Sequence, residues 1–278
     1  MDFDFVKDIR YGEHERNFVD ITFPKGAKGN VDLVLMIHGG AWTAGDKSTY
    51  HTDISQFAAD GVVSASMNYR YISENSNGFD ILDDITSALR VIKAEGAKRG
   101  INIEKALLTG LSAGGHLSLL YAYSRVDEAP IRPVAVVALS GPADMAGEEA
   151  VKAFMHDNEM GGSEVVAGLL SMLSGFRTDT DNYKTEASVA ANRKISPVYY
   201  VNKDTVPTVI CHAVNDRIVP FCNAVILEKA LAENGVEHEF IVYPTSGHAL
   251  EKDPDCTRKA NELTDEYIRR YLSVYKEK

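Results

Sequence analysis

Three residues far apart in the chain, Ser112, Asp216 and His248, have the types that together could cleave an acyl bond. A serine hydroxyl is a weak nucleophile until a base takes its proton, and the base must itself be held by a third group. Ser112 stands in Gly110-Leu111-Ser112-Ala113-Gly114, between the apolar run 106–109 and the Leu- and Ala-rich stretch 115–123. Such a Gly-x-Ser-x-Gly, where a buried strand turns into a helix, projects the hydroxyl from the end of a sheet. A Cβ two residues either side of the serine would collide with neighbouring backbone as the helix doubles back. The helix start also aims free N–H groups and a positive dipole end at the nucleophile. The alternative is a plain glycine-rich turn.

His248, in Thr245-Ser246-Gly247-His248, is the best base among the histidines: it follows the last expected strand on a loop free to reach over a sheet. His116, one turn past Ser112, reads as structural, and His212, inside a strand, reads as core. His14, His51, His156 and His238 have no supporting context. Asp216 directly follows a buried strand and is the favoured orienting acid; a turn or capping role is its alternative, and Asp144 is its rival. For a developing oxyanion, Ala113 N–H is one expected donor. Gly40 and Ala41 N–H, from His38-Gly39-Gly40-Ala41-Trp42, are the others. His38 is expected to shape this loop rather than act as a base. Trp42 either walls the acyl pocket or packs.

These groups need a frame. Apolar or alternating runs predict strands over 17–23, 31–37, 62–67, 106–109, 133–139, 208–213 and 240–243. Helical spacing predicts helices over 49–59, capped by Ser48, and over 81–94, 115–123, 165–173, 221–233 and 262–274. The alternation implies an α/β chain with a mainly parallel, doubly wound sheet and right-handed crossovers. In such sheets ligands sit at the carboxyl ends of the strands, where all the candidate residues fall. Between about 145 and 196 the strand rhythm stops. This stretch is expected to form a small helical cap inserted into a single domain over 1–278, with Leu169, Met172 and Phe176, beside Leu170 and Leu173, lining the acyl pocket. A longer crossover packed only on the sheet is the alternative.

The 278 residues carry a net charge of −11, which argues against nucleic acid and anionic membranes as partners. Hydrophobic content of 45% and charged content of 25% are ordinary for a globular protein. Cys211, Cys222 and Cys256 form an odd set without metal-ligand spacing, which favours a reducing compartment. No stretch approaches the roughly 18 uninterrupted apolar residues of a membrane span. The start of the sequence lacks the basic and apolar segments of a signal peptide, so a cytoplasmic location is expected.

Asn68-Tyr69-Arg70, His38-Gly39-Gly40-Ala41-Trp42, Gly110-Leu111-Ser112-Ala113-Gly114-Gly115-His116, Asp216 and His248 together resemble the α/β-hydrolase superfamily. Within it the chain is similar to bacterial carboxylesterases of the hormone-sensitive-lipase and acetyl-esterase type, including carbohydrate acetyl and feruloyl esterases. The chain order Ser, Asp, His agrees with that fold. The resemblance implies a serine hydrolase that cleaves short-chain, notably acetyl, esters of small molecules through an acyl-enzyme. It implies no metal or organic cofactor, and a homodimer is compatible with it. One departure is Ala41, where the lipase-type motif has a third glycine. His-Gly-Gly-x-Trp also occurs in kynurenine-formamidase relatives, so an amidase or arylformamidase using the same residues is the first rival. A non-catalytic ligand-binding protein on the same fold is the second.

Overall fold

A computed structural model describes residues 2–156 and 159–276. Eight strands form one sheet: β1 (Phe3–Arg10), β2 (Phe18–Pro24), β3 (Leu33–Ile37), β4 (Val63–Met67), β5 (Lys105–Leu111), β6 (Arg132–Leu139), β7 (Thr208–Ala213) and β8 (His238–Tyr243). Their order is β1-β2-β4-β3-β5-β6-β7-β8. The pairs β1–β2 and β2–β4 are antiparallel, and all later neighbours are parallel. Around the sheet lie α1 (His51–Ala59), α2 (Gly78–Lys98), α3 (Ala113–Ser124), α4 (Glu148–His156), α5 (Ser163–Ser174), α6 (Glu186–Arg193), α7 (Cys222–Glu233) and α8 (Pro254–Tyr271).

The central strands are covered on both faces, which is why they read as continuous apolar runs. In β3, Leu33, Leu35 and Ile37 point into the core shared with α2 and α3, while Val34 and Met36 meet Ile54 of α1 and Ile268 of α8. This period of two divides the core between the faces. The helix α3 is buried along its whole length, from Ala113 to Tyr123. Nothing amphipathic is needed there, because the sheet lies on one side and α2 and further helices lie around it.

The differences from the sequence expectations are local. The edge strand β1 goes unannounced because its residues are mostly half-buried or exposed and show no apolar alternation. Ser48 is not the cap: a 3-10 turn, Lys47–Tyr50, precedes α1 and is capped by Asp46, whose Oδ1 accepts from Ser48 N at 2.9 Å, while α1 itself has no side-chain cap. A capping box between Asn77 and Asp80 starts α2 three residues earlier than its apolar stripe. Helix α8 starts at Pro254, eight residues early, because its first turns are polar and exposed.

Between β6 and β7 come α4, α5 and α6, with no strand among the described residues. The stem of this helical segment is tied at both ends. Met145 N donates to Ser196 Oγ at 2.9 Å, and Val198 N donates to Ala143 O at 3.1 Å. Among the described residues no helix is long and apolar enough to cross a membrane.

Candidate active site

The chain passes from β5 to α3 through one residue. Ser112 has φ 59° and ψ −122°, a left-handed conformation that costs an L-residue about 1–3 kcal/mol and persists only where its surroundings hold it. The obstacle that demands glycine is the last carbonyl of β3: a Cβ on Gly110 or on Gly114 would overlap Ile37 O. Ser112 N donates to Leu139 O at 2.8 Å, fixing the backbone of the turn. The Ser112 side chain makes no capping bond to the start of α3, so the turn does not tie up the hydroxyl.

The loops after β7 and β8 bring Asp216 and His248 together. His248 Nδ1 donates to Asp216 Oδ2 at 2.8 Å, which leaves Nε2 as the free ring nitrogen. Asp216 Oδ1 accepts from Ile218 N and Val219 N, both at 2.9 Å. His212 Nε2 stands 3.3 Å from Asp216 Oδ2 while donating to Val219 O at 2.9 Å. Burial alone would raise the Asp216 carboxyl; the hydrogen bonds from His212 and His248 outweigh it and hold the group far below the usual carboxylate range. The sequence reading of His212 as core is half the answer, because this core histidine also steadies the acid. No signal in the sequence marks it: the two residues stand four apart, His212 near the end of β7 and Asp216 in the loop beyond it. Asp144 has a different occupation. Its Oδ1 accepts from Ala146 N and Gly147 N at 2.9 and 2.8 Å, building the turn into α4.

The loop after β3 carries three consecutive left-handed residues, Gly40, Ala41 and Trp42, with φ of 109°, 49° and 59°. Gly40 O accepts from Thr43 N at 3.0 Å and Ala44 N at 2.9 Å. The N–H groups of Gly40 and Ala41 have no acceptor among the described residues. Ala113 N, at the first position of α3, has no intrahelical one. His38 sits behind this loop. Its Nδ1 donates to Gly39 O at 2.8 Å, its ring stacks on Tyr69 with centroids 4.2 Å apart, and Arg16 donates both to its Nε2 at 3.4 Å and to Gly45 O at 2.9 Å. Burial lowers its pKa to about 4, so the ring is neutral and braces the loop as expected.

In the motif Asn68-Tyr69-Arg70 the first two residues brace the same loop and the third is held by α2. Asn68 Oδ1 accepts from Lys47 N at 2.7 Å, and Tyr69 Oη donates to His38 O at 2.9 Å. Arg70 is locked on Asp84 by bonds of 2.6 and 3.0 Å. The loop ends on Lys47, whose ammonium is buried between Asp20 at 2.7 Å and Asp8 at 2.8 Å.

Ser112 and His248 line one cavity of about 470 Å³. Gly40, Ala41, Trp42, Leu111, Pro142, Ile218 and Val219 contribute the sheet side, and Met145, Phe154, Met160, Val166, Leu169 and Leu170 the helical side. Among the described residues no Asp, Glu, Lys or Arg side chain lines it. Trp42 fills both of its expected roles: it walls the cavity and is 5% exposed, with Nε1 donating to His116 Nδ1 at 3.1 Å. Of the expected pocket residues, Leu169 lines the cavity, whereas Met172 and Phe176 do not. On α5 the cavity face is Val166, Leu169 and Leu170, with Leu173 continuing it against α2. Met172 falls on the flank with exposed Val165 and borders a separate polar depression with Ser73, Asn77 and Arg177. Phe176 lies past Gly175, whose left-handed φ of 68° ends the helix, and is 36% exposed. Among the described residues no cluster of three His, Cys, Asp or Glu is placed to hold a metal ion.

A mostly parallel sheet with β3 between β4 and β5, a serine on a strained strand-to-helix turn, and later strand ends supplying an acid and a histidine define an α/β-hydrolase fold. Solved structures agree. A truncated form of a carbohydrate esterase from gut microbiota superposes with a TM-score of 0.73 at 23% identity, over 95% of this chain and 96% of that one. The thermophilic esterase Est2 of the planctomycete Thermogutta terrifontis gives a TM-score of 0.71 at 20% identity, over 97% of this chain and 94% of that one. The family pattern of BD-FAE matches residues 19–231, and the chain belongs to that family. LipM of Mycobacterium tuberculosis, described as a probable carboxylic ester hydrolase, is 30% identical over 225 residues, 77% of this chain. The chain spans about half the length of this relative, 48%.

Proposed function

We propose that the protein is a serine hydrolase of short-chain carboxylic esters, working through an acyl-enzyme. The observation that carries the proposal is the Asp216–His248 pair at 2.8 Å with Ser112 on the wall of the same cavity. Ser112 Oγ attacks the ester carbonyl carbon while His248 Nε2 takes its proton, and Asp216 fixes the tautomer that leaves Nε2 free to do so. Charge develops on the carbonyl oxygen, where the unclaimed N–H groups of Gly40, Ala41 and Ala113 receive it. As the tetrahedral species collapses, the bond to the alcohol oxygen breaks and His248 returns the proton to that oxygen. Water then repeats the sequence against the acyl-enzyme and releases the acid. Every proton moves through His248.

The segment 145–196 acts as a cap that closes the acyl side with apolar walls. A cavity of about 470 Å³ whose lining among the described residues carries no charged side chain suits a short acyl chain, from acetate to butyrate, on a compact alcohol. The three cysteines are unpaired, which suits a reducing cytoplasm. The test is a panel of p-nitrophenyl esters of rising acyl length beside N-formylkynurenine. Turnover highest on the C2–C4 esters is expected. A preference for the formamide would replace the ester reading with the amidase one. Labelling of any residue other than Ser112 by a fluorophosphonate would remove the nucleophile.

A further inference from the structure

In the proposed reading the oxyanion donors come from two elements that are not continuous in the chain: the start of α3, which offers Ala113 N–H, and the loop after β3, which offers Gly40 and Ala41. Both must face one point, and two of the three loop residues, Ala41 and Trp42, are L-residues held in a left-handed conformation. Something has to fix the loop against the helix. The ladder between β3 and β5 stops at Ile37 and Gly110, before either donor begins.

Among the described residues one side-chain hydrogen bond joins them. Trp42 Nε1 donates to His116 Nδ1 at 3.1 Å, with the rings edge to face at 5.2 Å between centroids. His116 is fully buried, and its own N–H donates to Ser112 O at 3.0 Å, so it belongs to the turn that carries the nucleophile. Its second ring nitrogen donates to Ile195 O at 2.7 Å, at the foot of the cap. The imidazole therefore has one acceptor and one donor, both used, in a single tautomer. Trp42 is held at its other end as well, its carbonyl accepting from Ile72 N at 3.0 Å.

We propose that His116 is a positioning residue, which through Trp42 sets the Gly40–Ala41 backbone against the start of α3 and ties both to the foot of the cap at Ile195. It touches no substrate. It acts by making the two halves of the oxyanion site one rigid unit, so its loss appears in the transition state and not in substrate binding. The proposal rests on the serine-esterase reading.

Trp42 is the sole tryptophan of the chain, which makes the bond directly visible. In a ¹⁵N-labelled full-length sample the single indole N–H signal should be slow to exchange with solvent. His116→Asn, whose Oδ1 can stand where Nδ1 stood, should keep that protection, and His116→Leu should lose it. On p-nitrophenyl acetate, Trp42→Phe should lower kcat about tenfold with KM within about twofold. His116→Leu should fall at least as far, the double variant no further than the worse single, and His116→Asn should recover most of the loss. An indole signal indifferent to His116→Leu would overturn the proposal. So would losses that multiply in the double variant, or Trp42→Phe with normal kcat. Should His116→Leu fail to fold, Trp42→Phe alone decides. A wild type that turns over no ester would instead overturn the esterase reading, and the indole signal separates that outcome from a failed positioning role.

Discussion

The rim of the sheet and the helical segment above it are built by different means. On the rim, the loops after β3, β5, β7 and β8 are held by backbone constraint and polar bonds: the left-handed run at Gly40, Ala41 and Trp42, the strained Ser112, and an Asp216 carboxylate with every near neighbour a donor. Among the described residues the helices of 145–196 present only apolar side chains to the cavity, and their polar ties to the sheet and the rim lie away from it, at Ser196, at Ile195 and at Glu159, whose N–H donates to Arg217 O at 2.7 Å. Directional bonds hold reacting groups to within fractions of an ångström, as chemistry requires, whereas dispersion contacts tolerate repacking. The rim should therefore govern kcat and the helical segment the choice of acyl chain.

The largest effect belongs to the residue with no structural duty. Ser112→Ala should lower kcat on p-nitrophenyl acetate by on the order of 10⁶, with the melting temperature unchanged or raised, because the backbone turn remains and the lost hydroxyl does not cap α3. Near-normal turnover would place the chemistry elsewhere. Next comes the acid. Asp216→Asn should cost up to about 10⁴ in kcat, since an amide can donate to Nδ1 and favour the wrong tautomer. Asp144→Asn should cost roughly tenfold or less, because Asp144 serves the turn into α4. If the two results exchange places, the acid is misassigned.

The rim also predicts an acid-sensitive stability. His38 and His116 are buried neutral, each with its pKa lowered by burial to about 4 from an ordinary 6.5. Below pH 6.5 the unfolded chain takes up protons that the folded chain refuses, so stability falls as pH drops from 6.5 and the loss is complete near pH 4. Each histidine contributes on the order of 3 kcal/mol across that window. Asp216, with its carboxyl depressed, acts in a lower window: its contribution is present above the unfolded carboxylate value of about 4 and is lost beneath it. Denaturant titrations at pH 7, 5.5 and 4.5 should show the decline, and His116→Gln should flatten it. A flat profile in wild type would mean that these rings are hydrated.

The sequence discloses the two regions unequally, for the same physical reason. On the rim, steric demands select residue types: glycines at 110 and 114 because Ile37 O lies where a Cβ would go, and a histidine on a loop that nothing else needs. The serine on its strained turn, the Asp216–His248 pair and the central strands, and with them the nucleophile, base and acid proposed above, are therefore legible before any coordinates. Bonds that bring together distant residues of common types are not, and so the tie from Trp42 to His116 and the second histidine on Asp216 emerge only in three dimensions. Polar starts of elements also escape, as with α8, since a hydrophobic stripe marks only where a helix touches the core. In the helical segment, composition indicates an apolar lining but not which side chains supply it. Met172 and Phe176 are as hydrophobic as Leu169 and point elsewhere because of helix phase and the stop at Gly175.

That distinction gives the smallest effect and the sharpest contrast. Leu170 lies on the cavity face of α5 and is 4% exposed, so Leu170→Ala should open space at the acyl end. The cost in stability is about 2–3 kcal/mol, the low end for a buried leucine, because the site borders a cavity that already exists. Activity should respond through selectivity: kcat/KM for the C6 and C8 esters rising roughly five- to tenfold relative to C2, an apolar contact of one or two methylenes being worth 1–3 kcal/mol. kcat on the acetyl ester should stay within about threefold, since no rim bond is touched. Met172→Ala, on the flank of the same helix, and Phe176→Ala, past its end, should leave the chain-length profile where it was. Should Met172→Ala shift the profile as much as Leu170→Ala, then α5 turns a different face to the substrate in solution, and the boundary drawn here between a fixed rim and a selective cap would have to be moved.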